Sequence, residues 1–380
     1  MGRGKGEGSL YKNAKGLWCA TVELPPSLDG KRRRKTVTST SKATVVSKLR
    51  QLQKEKSSLG DLPTRSWTMA EWMTYWIDEI APRTLRPRTI VTYRGSINQQ
   101  IIPRIGTVKI HALSPPRIRQ LIDTVEREKS AAMASRIFGV LSKAMKAAVR
   151  DRVLTADPTS HMERPKSTPA PQEALTLDEA VQVLRALPDD PHGTLWATIL
   201  LTGARRNEVL GLERDRVGDT LDLSWQLLQI KRSHMDGAPS QYQRRYLQES
   251  FYLVRPKSGA GDRQVPLVEP LRTILQGWVE RTDPQGLVFT RADGGPIRPN
   301  WVTEEWRELL RRVGVNDKVK LHGARHTVVD LMYLSGAPED VIQRVVGHSS
   351  RAMTRSYQTT AGQSQRVVDA MESMSRLLGR

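Results

Sequence analysis

Between residues 66 and about 162 the apolar positions fall three or four apart. Trp72, Met73, Trp76 and Ile80 would share one face of a helix beginning at Trp67-Thr68-Met69. Ile90, Tyr93, Ile97 and Ile101 repeat the spacing within residues 89–102, and residues 118–128 and 131–149 repeat it again. The pattern predicts an all-helical segment, punctuated at Pro82, Pro87 and Pro103, where a helix lacks an N–H donor. The first 64 residues are written differently. Residues 9–12 and 17–24 read as short strands, with Trp18, Thr21 and Val22 suiting a pleated surface. Asp29-Gly30 marks a turn, residues 31–38 a third strand, and Ser41 an N-cap for a helix reaching about Lys56.

From residue 172 helices and strands mix. Thr176-Leu177-Asp178-Glu179 reads as a capped helix start, residues 196–201 as a buried helix, and residues 221–230 and 251–267 as strands. After Pro299 the chain reads as helical to its end. Pro338 opens a helix with Val341, Ile342, Val345 and Val346 on its apolar side, and Gly347 ends it. Ser349-Ser350 then caps a short helix carrying Tyr357, and Val367, Val368, Met371, Met374 and Leu378 line a last one. Polar, proline-containing stretches at 61–64 and 163–171 read as linkers. The predicted architecture is mainly α with small β-sheets, an α+β chain. It has a small module over 1–64, a helical domain over 66–162, a linker over 163–173 and a mixed α/β domain over 174–380.

Charge narrows the partners. Lys and Arg number 60 against 40 Asp and Glu, a net +20, and nearly half of the excess lies in the first 64 residues. So basic a chain is expected to bind a polyanion, nucleic acid before anionic membrane, since no basic amphipathic anchor is present. The run Lys31, Arg32, Arg33, Arg34 and Lys35 has two readings. It is a solvated edge that discourages aggregation, or part of a three-stranded sheet that enters a DNA major groove. No apolar run approaches the ~20 residues of a membrane span. The basic N-terminus has no apolar core of a secretory signal. The single cysteine, Cys19, excludes a disulfide within the chain and fits a reducing cytoplasm. Seven scattered histidines speak against a zinc site, and no metal or other cofactor is expected.

Six residues of the third part make chemical sense together: Arg205 in Thr202-Gly203-Ala204-Arg205, Lys257 in Pro256-Lys257-Ser258-Gly259, His322 and Arg325 in His322-Gly323-Ala324-Arg325, His348 after Gly347, and Tyr357. Breaking a DNA phosphodiester without metal needs a nucleophile, cationic donors for the phosphorane-like transition state and an acid for the leaving oxygen. Guanidinium forks suit the phosphate oxygens. A tyrosine must be shifted by ~3 pH units, about 4 kcal/mol, to ionise near neutrality. A lysine on a hairpin serves as the acid. Lys231, Lys318 and Lys320 are rivals for that role, Arg206 reads as part of a solvated basic face, and His326 and Tyr333 read as structural and buried.

In this order the motifs resemble those of the tyrosine recombinase (phage integrase) family. Thr202-Gly203-x-Arg205-x-x-Glu208 is similar to its first box. Its second is resembled by three stretches and a tyrosine: His322-x-x-Arg325-His326, the stretch from Leu334 through Gly336 to Glu339, Val346-Gly347-His348-Ser349, and Tyr357. The resemblance spans the whole chain in arrangement and is closest over residues 175–365. It implies that Arg205 and Arg325 clamp the scissile phosphate, His322 acts as general base or proton shuttle, and His348 hydrogen-bonds the phosphate. It further implies that Lys257 protonates the leaving 5′ oxygen, Tyr357 attacks phosphorus, and Glu208 braces the site. One departure stands out: the family usually has Asp and Leu where this chain has Gly323 and Ala324, so a bracing carboxylate is lost.

The function so implied is integration, and excision, of a phage or mobile element through a covalent 3′-phosphotyrosine. The expected partners are double-stranded DNA with core-type and arm-type sites and a homotetramer on that DNA, with a host bending protein and an excision factor as accessories. The expected setting is the cytoplasm of a bacterial host, at the nucleoid. A DNA-binding regulator without chemistry and a type IB topoisomerase-like enzyme are the rival readings.

Overall fold

The computed structural model describes residues 9–26, 31–59, 67–167, 173–256, 259–283, 285–348 and 354. The chain divides into two compact units, residues 1–169 and 170–380. Among the described residues no helix is long and apolar enough to cross a membrane.

The first unit opens with β1 (Ser9–Lys12), β2 (Trp18–Leu24) and β3 (Arg33–Ser39), an antiparallel sheet in that order, followed by α1 (Lys42–Leu59). Ala20 and Val22 of β2 pack on Val45, Leu49 and Leu52 of α1. Ser41 Oγ accepts from the Thr44 N–H at 3.4 Å, the expected N-cap. The predicted turn at Asp29-Gly30 and the linker at 61–64 lie outside the described residues.

A separate apolar cluster builds the helical part. α2 (Met69–Tyr75) starts at a reciprocal cap, in which the Glu71 N–H donates to Thr68 Oγ1 and the Thr68 N–H to Glu71 Oε2. α3 (Pro87–Ser96), α4 (Ile102–Ile105), α5 (Pro115–Glu128) and α6 (Ala131–Arg150) follow. Pro103 interrupts less than expected, whereas at Pro82 the helix tightens to a last 3-10 turn and ends at Arg83. Trp76–Ile80 and Ile97–Ile101 are widened π turns, each just ahead of Pro82 or Pro103. The extra residue in the turn relieves the clash between a proline ring and the preceding carbonyls, so α4 runs through Pro103. Trp72 Nε1 donates to the Ala144 carbonyl at 3.0 Å, tying α2 to α6. Arg164 Nε donates to Ser135 Oγ at 2.9 Å, fastening the start of the predicted linker to α6.

The second unit begins at the capped helix the sequence predicts, α7 (Leu177–Ala186), with the Glu179 N–H on Thr176 Oγ1. α8 (Gly193–Thr202) and the short α9 (Arg206–Val209) lead to β4 (Thr220–Asp222), β5 (Gln226–Gln229), α10 (Arg232–Met235), β6 (Arg244–Gln248), β7 (Phe251–Val254) and β8 (Gln264–Pro266). α11 (Leu271–Thr282), α12 (Pro299–Val313), α13 (Leu321–Leu334) and α14 (Glu339–Val346) complete it. Trp196 of α8 and Trp306 of α12 meet in the core with ring centroids 5.7 Å apart.

The strand reading needs correction. Residues 221–230 are not one strand: β4 pairs with β8, whereas β5 pairs with β7 in the sheet β5-β7-β6. Phe251 to Val254 are all buried, so β7 has no polar face to produce alternation. β6, rich in arginine, lacked the apolar signal of a strand and is held by its pairing with β7.

Candidate active site

α8 ends at Gly203, whose φ of +61° is left-handed. A side chain there would also crowd Val328 and Val346, each 3.1 Å from the place of a Cβ. Thr202 Oγ1 accepts from the Ala204 N–H at 3.1 Å, and Ala204 is buried. The chain therefore turns sharply and delivers Arg205 at the start of α9. Glu208, one turn on, reaches back. Its Oε2 accepts from the Arg205 N–H at 2.9 Å and its Oε1 from Arg205 Nη1 at 2.8 Å.

The other centre of the site is the end of α14. A helix leaves its last carbonyls without intrahelical partners and presents a negative dipole end. Here three consecutive carbonyls each receive a different arginine. Arg263 Nε donates to Val345 at 2.8 Å, Arg325 Nη2 to Val346, and Arg205 Nη2 to Gly347 at 3.2 Å. Arg325, 1% exposed, also donates from Nη1 to the Gly203 carbonyl at 2.6 Å. Segments around residues 205, 263, 325 and 346 are thus drawn together by guanidinium forks.

Gly347 is the left-handed cap of α14, and both its N–H and that of His348 return to the Gln343 carbonyl. His348 is thereby placed just past the helix end, buried, with Nδ1 3.1 Å from Thr354 Oγ1. Burial and the charges of Arg325, Arg205 and Arg263 push its pKa down to about 3. His322, on the first turn of α13, has one side open to solvent and the ring of His326 at 5.7 Å on another. Desolvation of its packed side, then His326, Arg325 and Arg205, lower its pKa to about 4. Both imidazoles are neutral at pH 7. Burial alone would raise the Glu208 pKa, but Arg263 and then Arg205 outweigh it and hold the carboxylate charged.

The lost family carboxylate has a geometric explanation. A Cβ at Gly323 would lie 2.4 Å from the Glu173 carbonyl oxygen and 2.8 Å from Val319 Cγ1. The segment before α7 occupies that space, with the Leu175 N–H donating to Thr327 Oγ1 at 2.9 Å. Backbone packing on α13 stands where a side-chain brace would otherwise be.

Residues 173–363 match the phage integrase family, and residues 68–125 match its N-terminal SAM-like domain. The chain belongs to the phage integrase family. It is a tyrosine-type site-specific recombinase, an enzyme that breaks and rejoins DNA. It is 24% identical to an integrase of Saccharopolyspora erythraea, over 93% of this chain and 92% of the relative. An integrase of Streptomyces ambofaciens is 26% identical with the same coverage. Among solved structures, the Tn1549 transposon integrase in complex with transposon right end DNA aligns with a TM-score of 0.65 at 16% identity, covering 81% of this chain and 99% of that one. A lambda integrase dimer bound to a core site aligns at 0.61 and 15% identity, covering 95% and 97%. These likenesses bear out the α+β fold.

Of the sequence-predicted site residues of this integrase, the structure brings Arg205, Glu208, Arg325 and His348 around the end of α14, with His322 on the adjoining turn of α13. Lys257 and Tyr357 lie outside the described residues, as do Ser349-Ser350 and the predicted tail helix. Arg206 departs from its reading as a solvated residue: its Nη1 donates to the Pro299 carbonyl at 2.7 Å and to Thr303 Oγ1 at 2.5 Å, binding α9 to α12. His326 and Tyr333 are buried as read. Arg263 was missed. Its only local signal is an arginine directly before a short alternating strand, and its partners are 55 and 82 residues away.

The basic run of the first unit divides by face. Register places Arg34 opposite Glu23 and Thr36 opposite Thr21, whose hydroxyls lie 3.0 Å apart, on the side away from α1. Arg33 and Lys35 stand opposite Leu24 and Val22, on the α1 side, and Arg32 pairs with Glu23. Lys31 precedes the strand and is exposed. A period of two forbids five consecutive residues from acting as one surface.

Proposed function

We propose that this recombinase integrates and excises a phage or mobile element by the following division of labour. Arg205 and Arg325 hold the non-bridging oxygens of the scissile phosphate, and their positive charge stabilises the pentavalent transition state. The phenol oxygen of Tyr357 attacks phosphorus while neutral His322 takes its proton, directly or through water. The bond from phosphorus to the 5′ oxygen breaks, and Lys257 protonates the departing oxygen. The product is a 3′-phosphotyrosine and a free 5′ hydroxyl. Attack by a 5′ hydroxyl of the partner DNA reverses the step, so no ATP is consumed. With Nδ1 accepting from Thr354, His348 would carry its proton on Nε2 and donate to the phosphate. Glu208 braces Arg205.

One observation carries this reading: two arginines far apart in sequence are fixed on neighbouring carbonyls at the end of α14, beside two neutral histidines. Lambda integrase has been solved as a tetramer bound to a Holliday junction, with a TM-score of 0.59 to this chain. That supports four subunits on paired duplexes here. The module over 1–64 would hold arm-type sites, with Lys31, Arg32, Arg33, Arg34 and Lys35 as its basic contacts, Arg34 on the open sheet face. The helical domain over 66–162 and the domain over 174–380 would close on the core-type site. A host bending protein and an excision factor would complete the assembly at the bacterial nucleoid.

Covalent capture tests the chemistry. Wild-type protein and Tyr357→Phe are incubated with sheared DNA of the source genome and its host, denatured in detergent, and the attached DNA is sequenced. Adducts with wild type alone, mapping to a pair of matching sites, are expected. Tight binding by both proteins without any adduct would instead favour a DNA-binding regulator.

A further inference from the structure

Three guanidinium groups close on the end of α14, and only two have a task in the chemistry above. The third, Arg263, stands directly before β8 with its side chain 7% exposed. Nη2 donates to Glu208 Oε2 at 2.9 Å and Nε to the Val345 carbonyl at 2.8 Å. Nη1 is buried with no hydrogen-bond partner among the described residues. A buried guanidinium is costly unless negative groups surround it. Here the offset is one carboxylate, itself 2% exposed, and one helix-end carbonyl.

The sharing of Glu208 is the informative feature. One carboxylate serves two arginines: Oε1 meets Arg205 Nη1, while Oε2 is divided between the Arg205 N–H and Arg263. Were Arg263 absent, the full carboxylate charge would fall to Arg205. A guanidinium neutralised in this way offers less to a phosphate. The same Arg263 holds the Val345 carbonyl, one residue before the carbonyl that receives Arg325 and two before that of Arg205.

We propose that Arg263 is a positioning residue: it shares the Glu208 carboxylate with Arg205 and locks the last turn of α14, so that Arg205 meets the scissile phosphate with its charge only partly offset. The inference rests on the recombinase reading, in which Arg205 clamps that phosphate.

The test is a double-substitution cycle in the full-length protein: R263Q, E208Q and R263Q/E208Q. Single-turnover adduct formation is followed on the DNA recovered by covalent capture. Adduct formation by wild type checks the recombinase reading itself, and the variants then check Arg263. R263Q is expected to slow cleavage by about 10- to 100-fold, less than loss of a direct donor. The double variant should be faster than R263Q, because removing the Glu208 charge releases Arg205. A double variant as slow as R263Q, or slower, would overturn the proposal, since a merely structural role predicts added damage.

A second readout uses a methylphosphonate at the scissile position, which removes one phosphate charge. The gap between wild type and R263Q should narrow on it, and an unchanged gap counts against the proposal. Thermal unfolding establishes that each variant is folded. If R263Q does not fold, R263K is compared with wild type on both substrates: it keeps the charge that meets Glu208 without the fork, so a near-wild-type rate is expected, and a loss of about 100-fold or more would overturn the proposal.

Discussion

Gly323 shows how one residue reports its surroundings. The carbonyl of Glu173 lies where a Cβ would be, so the family's usual aspartate cannot be restored here without moving the chain before α7. Gly323→Ala should cost about 2 kcal/mol or more in urea unfolding, and Gly323→Asp more still, because backbone must yield. Wild-type stability in either variant would show that the contact is not tight. The two histidines make a second prediction. Their folded pKa values, about 3 and about 4, lie below the ~6.5 of an unfolded chain. Between those values the unfolded chain binds more protons than the folded one, so stability falls as pH drops from about 7 towards 4. Chemical denaturation at a series of pH values measures that slope. Replacing His348 by Asn should flatten it by about one proton, and an unaltered slope would remove His348 from the account.

At the scale of elements, the end of α14 works as an assembly point. Three carbonyls that no helix can satisfy internally become the acceptors that gather three arginines. On the proposed reading, the sheet of the first unit would be the corresponding device for DNA sequence. Its α1 side is committed to packing, so base reading would be left to the opposite side, where Arg34 and Thr36 stand. In selection from a random duplex library, Arg34→Ala should relax sequence preference at particular positions. Lys35→Ala should weaken binding evenly across sequences. The reverse pattern would mean that the sheet docks by its other side.

For the whole molecule the excess of 20 positive charges predicts steep salt dependence of DNA binding. Affinity should fall by about 10³-fold between 50 and 200 mM salt, as for proteins that make several phosphate contacts. A flat profile in a binding titration would refute it. Much of this was legible in the sequence because it is local or compositional. The caps at Ser41 and Thr176, the helix start at Trp67-Thr68-Met69, the apolar periods of the helices and the left-handed end of α14 each depend on residues within a turn of one another. The kinds of side chain that phosphoryl chemistry needs were likewise visible as Arg205, His322, Arg325 and His348. The remainder depended on tertiary structure. That Arg206 binds α12, that residues 221–230 divide between two sheets, and that Arg263 joins Glu208 and Val345 are matters of which acceptors remain unsatisfied once the core has closed. A guanidinium's chemistry is written at its own position, but its partner is chosen by packing among residues far away in the chain.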